Sequence, residues 1–163
     1  MWTEPFWVNC TFPGRLAVSP RPRGDDWLGD EMRAWRSAGV DMVVSLLRNQ
    51  EAESLGLDRE PEICRSAGIE YRTLPIVDRS VPESVREMLK LVDEVLTRLH
   101  AGKNVVIHCR QGIGRSGLLA TAILIRSGNP LEAAIQLVSD VRGVKVPETE
   151  EQLEWIRSFA QSF

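Results

Sequence analysis

Asn104-Val105-Val106-Ile107-His108-Cys109-Arg110-Gln111-Gly112-Ile113-Gly114-Arg115-Ser116 is the stretch on which the fold turns. Its first five residues are short, apolar and β-branched, the pattern of a strand buried on both faces. Gly112 and Gly114 let the backbone turn inward, and Arg115 to Arg126 reads as a helix that stops before Gly128. A buried strand running through a glycine-bearing loop into a helix is a building unit of α/β proteins. It also gathers backbone N–H groups and the positive end of a helix dipole around one point, which makes an anion site.

The flanking sequence extends that unit. Phe6-Trp7-Val8 and Arg15 to Val18 read as short strands, separated by the loop Ser19 to Gly24 from a helix over Asp26 to Ala38, where Trp27, Met32 and Trp35 share a face and Gly39 is the stop. Val40 to Leu47 and Ile69 to Ile76 are strand candidates with a helix between them. Pro82 to Leu99 places Val85, Met88, Leu89, Val92, Leu96 and Leu99 on one face of a helix, with Pro82 near its first turn. Pro130 to Val141 and Pro147 to Phe163 are the remaining helices. The expectation is one α/β domain over residues 1–163, a central, mostly parallel sheet of about four to five strands with helices on both faces.

Composition narrows the partners. With 163 residues, 43% hydrophobic, the chain can bury one ordinary core. Its 20 Lys and Arg against 23 Asp and Glu leave a net charge of -3, so nucleic acid is not an expected partner. Cys10, Cys64 and Cys109 are an odd set without Cys-x-x-Cys spacing, which argues against a disulfide framework or a structural zinc site. No apolar run approaches the length of a membrane span. A monomeric, cytoplasmic protein with no membrane partner is expected.

At the strand end Cys109 would sit at the base of the anion cradle, where the positive field favours the thiolate, the nucleophilic form. Arg115, at the helix start, can reach back and bind two phosphate oxygens through its planar fork. The Ser116 hydroxyl can bond the Cys109 sulfur. With this His-Cys-x5-Arg-Ser string and its strand-loop-helix setting, the chain resembles the protein tyrosine phosphatase superfamily, in its compact dual-specificity-like branch, over residues from about Val40 onward. The resemblance implies a phosphatase working through a phosphocysteine on Cys109. Phosphate would be held by Arg115 and the loop residues Arg110, Gln111, Gly112, Ile113 and Gly114, and His108 would hold the loop by hydrogen bonding rather than exchange protons.

Ester cleavage also needs a proton for the leaving oxygen. Asp78, which follows Leu74-Pro75-Ile76-Val77, resembles the family's general acid in placement, and it would then activate water against the phosphocysteine; a solvated turn aspartate is the plainer reading. Glu83 and Glu87 fit a helix first turn and Asp93 should face solvent. Arg79 can touch substrate or simply be solvated. The resemblance gives Gln152 a part in placing that water, against its reading as a surface glutamine on a helix. Cys64 is read as a buried helix thiol, the alternative being oxidative pairing with Cys109. Because amides and Arg115 neutralise the phosphate, no metal or cofactor is expected. The expected substrate is a phosphorylated protein carrying phosphotyrosine, with phosphoserine or phosphothreonine also open. A phosphoinositide or RNA 5′-phosphate phosphatase of the same loop chemistry, a phosphate-binding module without turnover and a rhodanese-like sulfurtransferase are the alternatives. Loop lysines that would meet extra phosphates are absent, since Gln111 and Ile113 stand there.

Overall fold

The structure, a computed structural model, describes all 163 residues. Five strands form one sheet in the order β1-β2-β5-β3-β4: β1 Phe6–Trp7, β2 Leu16–Ser19, β3 Met42–Ser45, β4 Glu70–Thr73 and β5 Val105–His108. Only β1 runs antiparallel, against β2; every other pairing is parallel. The seven helices are α1 Leu28–Ser37, α2 Asn49–Ser54, α3 Glu60–Ser66, α4 Val85–His100, α5 Arg115–Arg126, α6 Leu131–Arg142 and α7 Glu150–Ala160. The mostly parallel α/β sheet expected from the sequence is present.

Strand alternation builds two cores. Leu16, Val18, Met42, Val44, Val105 and Ile107 point to the face covered by α4 to α7, whereas Ala17, Val43 and Val106 point to the face covered by α1 and α3. Every residue of β2, β3 and β5 is buried, so these strands read as continuous apolar runs. The register places Ser19 and Ser45 beside His108, and Thr73 beside Ser45. All four parallel strands therefore end on one level, and the loops leaving them converge at the carboxyl edge of the sheet, where open α/β sheets place their ligand sites.

Several sequence expectations need correction. Two short helices, not one, connect β3 to β4, because Gly56 at φ 70° and the turn after it break the run. Trp27 lies in a 3-10 turn before α1 and is 56% exposed, off the face that buries Met32 and Trp35. Val85 is the first residue of α4 and is also exposed; Ser84 caps that helix by accepting from the Glu87 N–H at 3.1 Å, so Pro82 stands outside the first turn. Pro147 likewise precedes α7, whose cap is Thr149. No helix is long and apolar enough to cross a membrane.

Candidate active site

The loop from Cys109 to Gly114 joins β5, the central strand, to α5. The backbone N–H groups of Arg110 through Gly114 donate to no group within the protein. Unpaired amides are costly when buried, and a run of them at a helix N-terminus is a preformed anion cradle. Gly112 makes the turn possible. Its φ is 73°, and a Cβ there would stand 2.4 Å from the Ser19 carbonyl carbon at the end of β2. The carbonyls of the same loop turn away from the cleft. Arg142, the last residue of α6, takes those of Gly112 (2.8 Å, from Nε) and Gln111 (3.1 Å, from Nη2), while its guanidinium lies over the Phe6 ring at 4.0 Å.

Cys109, Arg110, Gln111, Gly114 and Arg115 line a cleft together with Asp78, Arg79 and Glu148. Ile113 does not line it; its side chain packs against the larger core, which leaves the cleft only its amide. The Cys109 sulfur lies 3.3 Å from Ser116 Oγ. Beneath the loop, buried His108 pairs through Nε2 with Glu60 Oε2 at 2.6 Å and sets Nδ1 3.3 Å from the Cys109 carbonyl oxygen. Both ring nitrogens are thus engaged by the protein and neither opens on the cleft.

Arg115 is 1% exposed and every contact it makes fixes its fork. Nη1 donates to Glu51 Oε1 (2.7 Å) and to the Ile76 carbonyl (2.8 Å); Nη2 donates to Glu51 Oε2 (3.0 Å) and Asp78 Oδ1 (3.1 Å). Burial opposes the charge, but the bonds to Glu51 outweigh it and push the guanidinium above its ordinary pKa. Burial likewise acts to raise Glu51, and the Arg115 hydrogen bonds overcome it, holding the carboxyl below its usual value. A depressed carboxyl stabilises the fold at pH above its unfolded pKa, and that contribution disappears as pH falls through the folded one. Glu51→Gln is therefore expected to melt at a lower temperature than the parent at pH 7, with the gap closing below about pH 4.3. Parallel melting curves from pH 3 to 8 check this.

Sequence reasoning missed Glu51, Arg142, Glu60 and Glu148. In one sequence, acids in short helices or in the loop before one, and an arginine at a helix end, look like ordinary surface residues. Of the two readings of Gln152, the surface glutamine is corrected: its side chain is completely buried beside Gly114. Cys64 belongs to the smaller core, across the sheet from Cys109, with its thiol 3.4 Å from Met32 Sδ and pushed up in pKa by burial, so pairing with Cys109 has no structural basis. Glu83 and Glu87 do not line the cleft, and Asp93 pairs with Arg126 at the surface.

The model of the family described as the polymorphic toxin system DSP-PTPase phosphatase matches residues 19–129. Protein tyrosine phosphatase domain-containing protein 1 of Bos taurus is 32% identical over 136 residues, which cover 78% of this chain and 17% of that protein. The chain spans less than two thirds of the length of the curated relatives it matches. Among solved structures, Tk-PTP in its active form superposes with a TM-score of 0.81 at 29% identity over the whole of both chains. Kinase associated phosphatase, bearing serine in place of its catalytic-site cysteine, superposes at 0.88 with 20% identity, covering 98% of this chain and 95% of that one.

Proposed function

Because the chain belongs to the dual-specificity-like branch of the protein tyrosine phosphatase superfamily, we propose that it hydrolyses phosphomonoesters on proteins through a phosphocysteine on Cys109. The observation that carries this reading is the convergence of five unpaired loop amides, the Cys109 sulfur, the buried Arg115 fork and the Asp78 carboxylate on one cleft. Phosphate enters the cradle of amides 110 to 114, and Arg115 turns its fork from Asp78 to the equatorial oxygens. The Cys109 thiolate attacks phosphorus in line while the bond to the leaving oxygen breaks and protonated Asp78 delivers a proton to it. The Asp78 carboxylate then takes a proton from water, whose oxygen attacks phosphorus and expels the Cys109 thiolate. Ser116 Oγ, 3.3 Å away, is placed to donate a hydrogen bond to the departing sulfur. The equatorial charge is met by amides and Arg115, so no metal enters any step.

Two features favour a phosphoprotein over a phosphoinositide. The cleft has no lysine, and its two arginines besides Arg115 already face carboxylates, Arg79 with Glu148 at 3.4 Å and Arg110 with Glu51 at 3.7 Å, which leaves little free positive charge for the additional phosphates of an inositol headgroup. On this reading the substrate is a phosphorylated protein met in the cytoplasm by a monomer, with phosphotyrosine preferred because phenolate leaves more readily than an alkoxide. Para-nitrophenyl phosphate in EDTA tests the class directly. Turnover unaffected by the chelator is the expected result. Phosphate binding without turnover would instead make the chain a recognition module, and a panel of phosphopeptides and phosphoinositides ranks the substrates.

A further inference from the structure

Asp78 occupies the second position of a turn closed by the Ser80 N–H donating to the Val77 carbonyl at 2.9 Å. The next residue, Arg79, has φ of 64°, a left-handed conformation that a non-glycine side chain keeps only when its surroundings fix it. Those surroundings are the start of α7. Gln152 Nε2 donates to the Ser80 carbonyl (3.0 Å), Ser80 Oγ to Glu151 Oε1 (3.0 Å) and Thr149 Oγ1 to the Arg79 carbonyl (3.4 Å), while Arg79 Nη1 lies 3.4 Å from Glu148 Oε1. Three of these contacts lie at the exposed surface, where solvent competes and each is worth little. The bond from Gln152 is made by a side chain with no exposed area, in a setting where a lost partner is not replaced by water.

Gln152 is fully occupied in that place. Its Oε1 accepts from the N–H groups of Glu148 (3.1 Å) and Thr149 (3.2 Å), the Thr149 hydroxyl accepts from the Gln152 N–H in return, and the side chain abuts Gly114 of the phosphate loop. It does not line the cleft; in the same segment it is Glu148 that does. We infer that Gln152 is a positioning residue for the acid loop. Through the Ser80 carbonyl it holds the turn that presents Asp78 against the phosphate loop, and it does not place the hydrolytic water. The inference rests on the reading of Asp78 as the general acid.

The two roles part at the first displacement, which kcat/KM reports. Clamping Asp78 serves that step, where a poor leaving group needs the proton and a good one does not, as well as the later attack of water, in which Asp78 is the base. Placing water serves the second displacement alone, which is common to all substrates. Gln152→Glu is the discriminating variant, since a glutamate at this cap position keeps the acceptor oxygen for Glu148 and Thr149 but has no N–H for the Ser80 carbonyl. Gln152→Ala repeats the test without added charge, and melting temperatures verify that both variants fold. The expected result is that the ratio of kcat/KM for 2,4-dinitrophenyl phosphate to that for phenyl phosphate rises about tenfold in each variant, a fraction of the effect of losing the acid itself. Asp78→Ala should raise the ratio further, and adding Gln152→Glu to it should change the ratio no more, because one residue acts through the other. An unchanged ratio in the Gln152 variants, or a phosphoenzyme that accumulates with every substrate while kcat/KM holds, overturns the inference. An unchanged ratio in Asp78→Ala alone overturns the acid assignment beneath it.

Discussion

Cys109→Ser is expected to lower turnover of an aryl phosphate by about a millionfold while inorganic phosphate binds within about threefold of the parent affinity. The separation follows from how the site is built. On the proposed reading phosphate is gripped by the loop amides, which come from the backbone, and by Arg115, whose fork is held by Glu51 and the Ile76 carbonyl without help from the sulfur. A serine hydroxyl preserves all of that and takes up less room. What it lacks is an accessible anionic form at neutral pH, since an alcohol is a far weaker acid than a thiol. Calorimetric titration with phosphate beside a single-turnover assay distinguishes the two functions. A variant that still turned over at the parent rate would assign the attack to another group, and one that lost phosphate as well would mean that the loop had rearranged.

Asp78→Ala carries the second largest expectation, a fall in kcat of about 10²- to 10⁴-fold for phenyl phosphate. A general acid must carry the proton it delivers, so on the proposed mechanism the parent activity should decline on the alkaline side of its pH profile. Removing the carboxyl should abolish that alkaline limb and leave a flat, low profile. The change also unties Arg115 from its 3.1 Å contact with Asp78 Oδ1. Phosphate would no longer compete with a carboxylate for the fork, so KM should hold or improve while kcat falls. That split marks a lost transition-state interaction and not lost binding. A pH-rate profile from pH 4 to 9 for parent and variant decides it; an unchanged alkaline limb would place the acid elsewhere, with Glu148 the next carboxylate on the cleft wall.

Local pattern made much of this legible. β5 and α5 declare themselves because burial on both sides of a parallel sheet leaves an apolar run, and because glycine is the residue that can hold the φ of 73° needed at position 112. Cys109 and Arg115 are related through one loop, six positions apart, so their partnership is written in the spacing. The element ends were less legible. Pro82, Trp27 and Pro147 all look apolar or helix-compatible in a periodic reading, yet caps at Ser84 and Thr149 and a 3-10 turn move the boundaries past them.

By itself the sequence determined the α/β class, the glycine-bearing loop between β5 and α5, and the thiol and arginine proposed to attack and clamp phosphate, since each depends on residues close together in the chain. Tertiary structure alone decided what holds them. Glu51 reaches Arg115 across 64 positions, Glu60 reaches His108 across 48 and Gln152 reaches Ser80 across 72. A buried charge or amide must find a partner wherever the fold brings one, and no periodicity along the chain records where that will be. Five amides and a thiol can be read from thirteen consecutive residues, whereas the shell that gives Arg115 and Asp78 their positions exists only once four parallel strands end on one level.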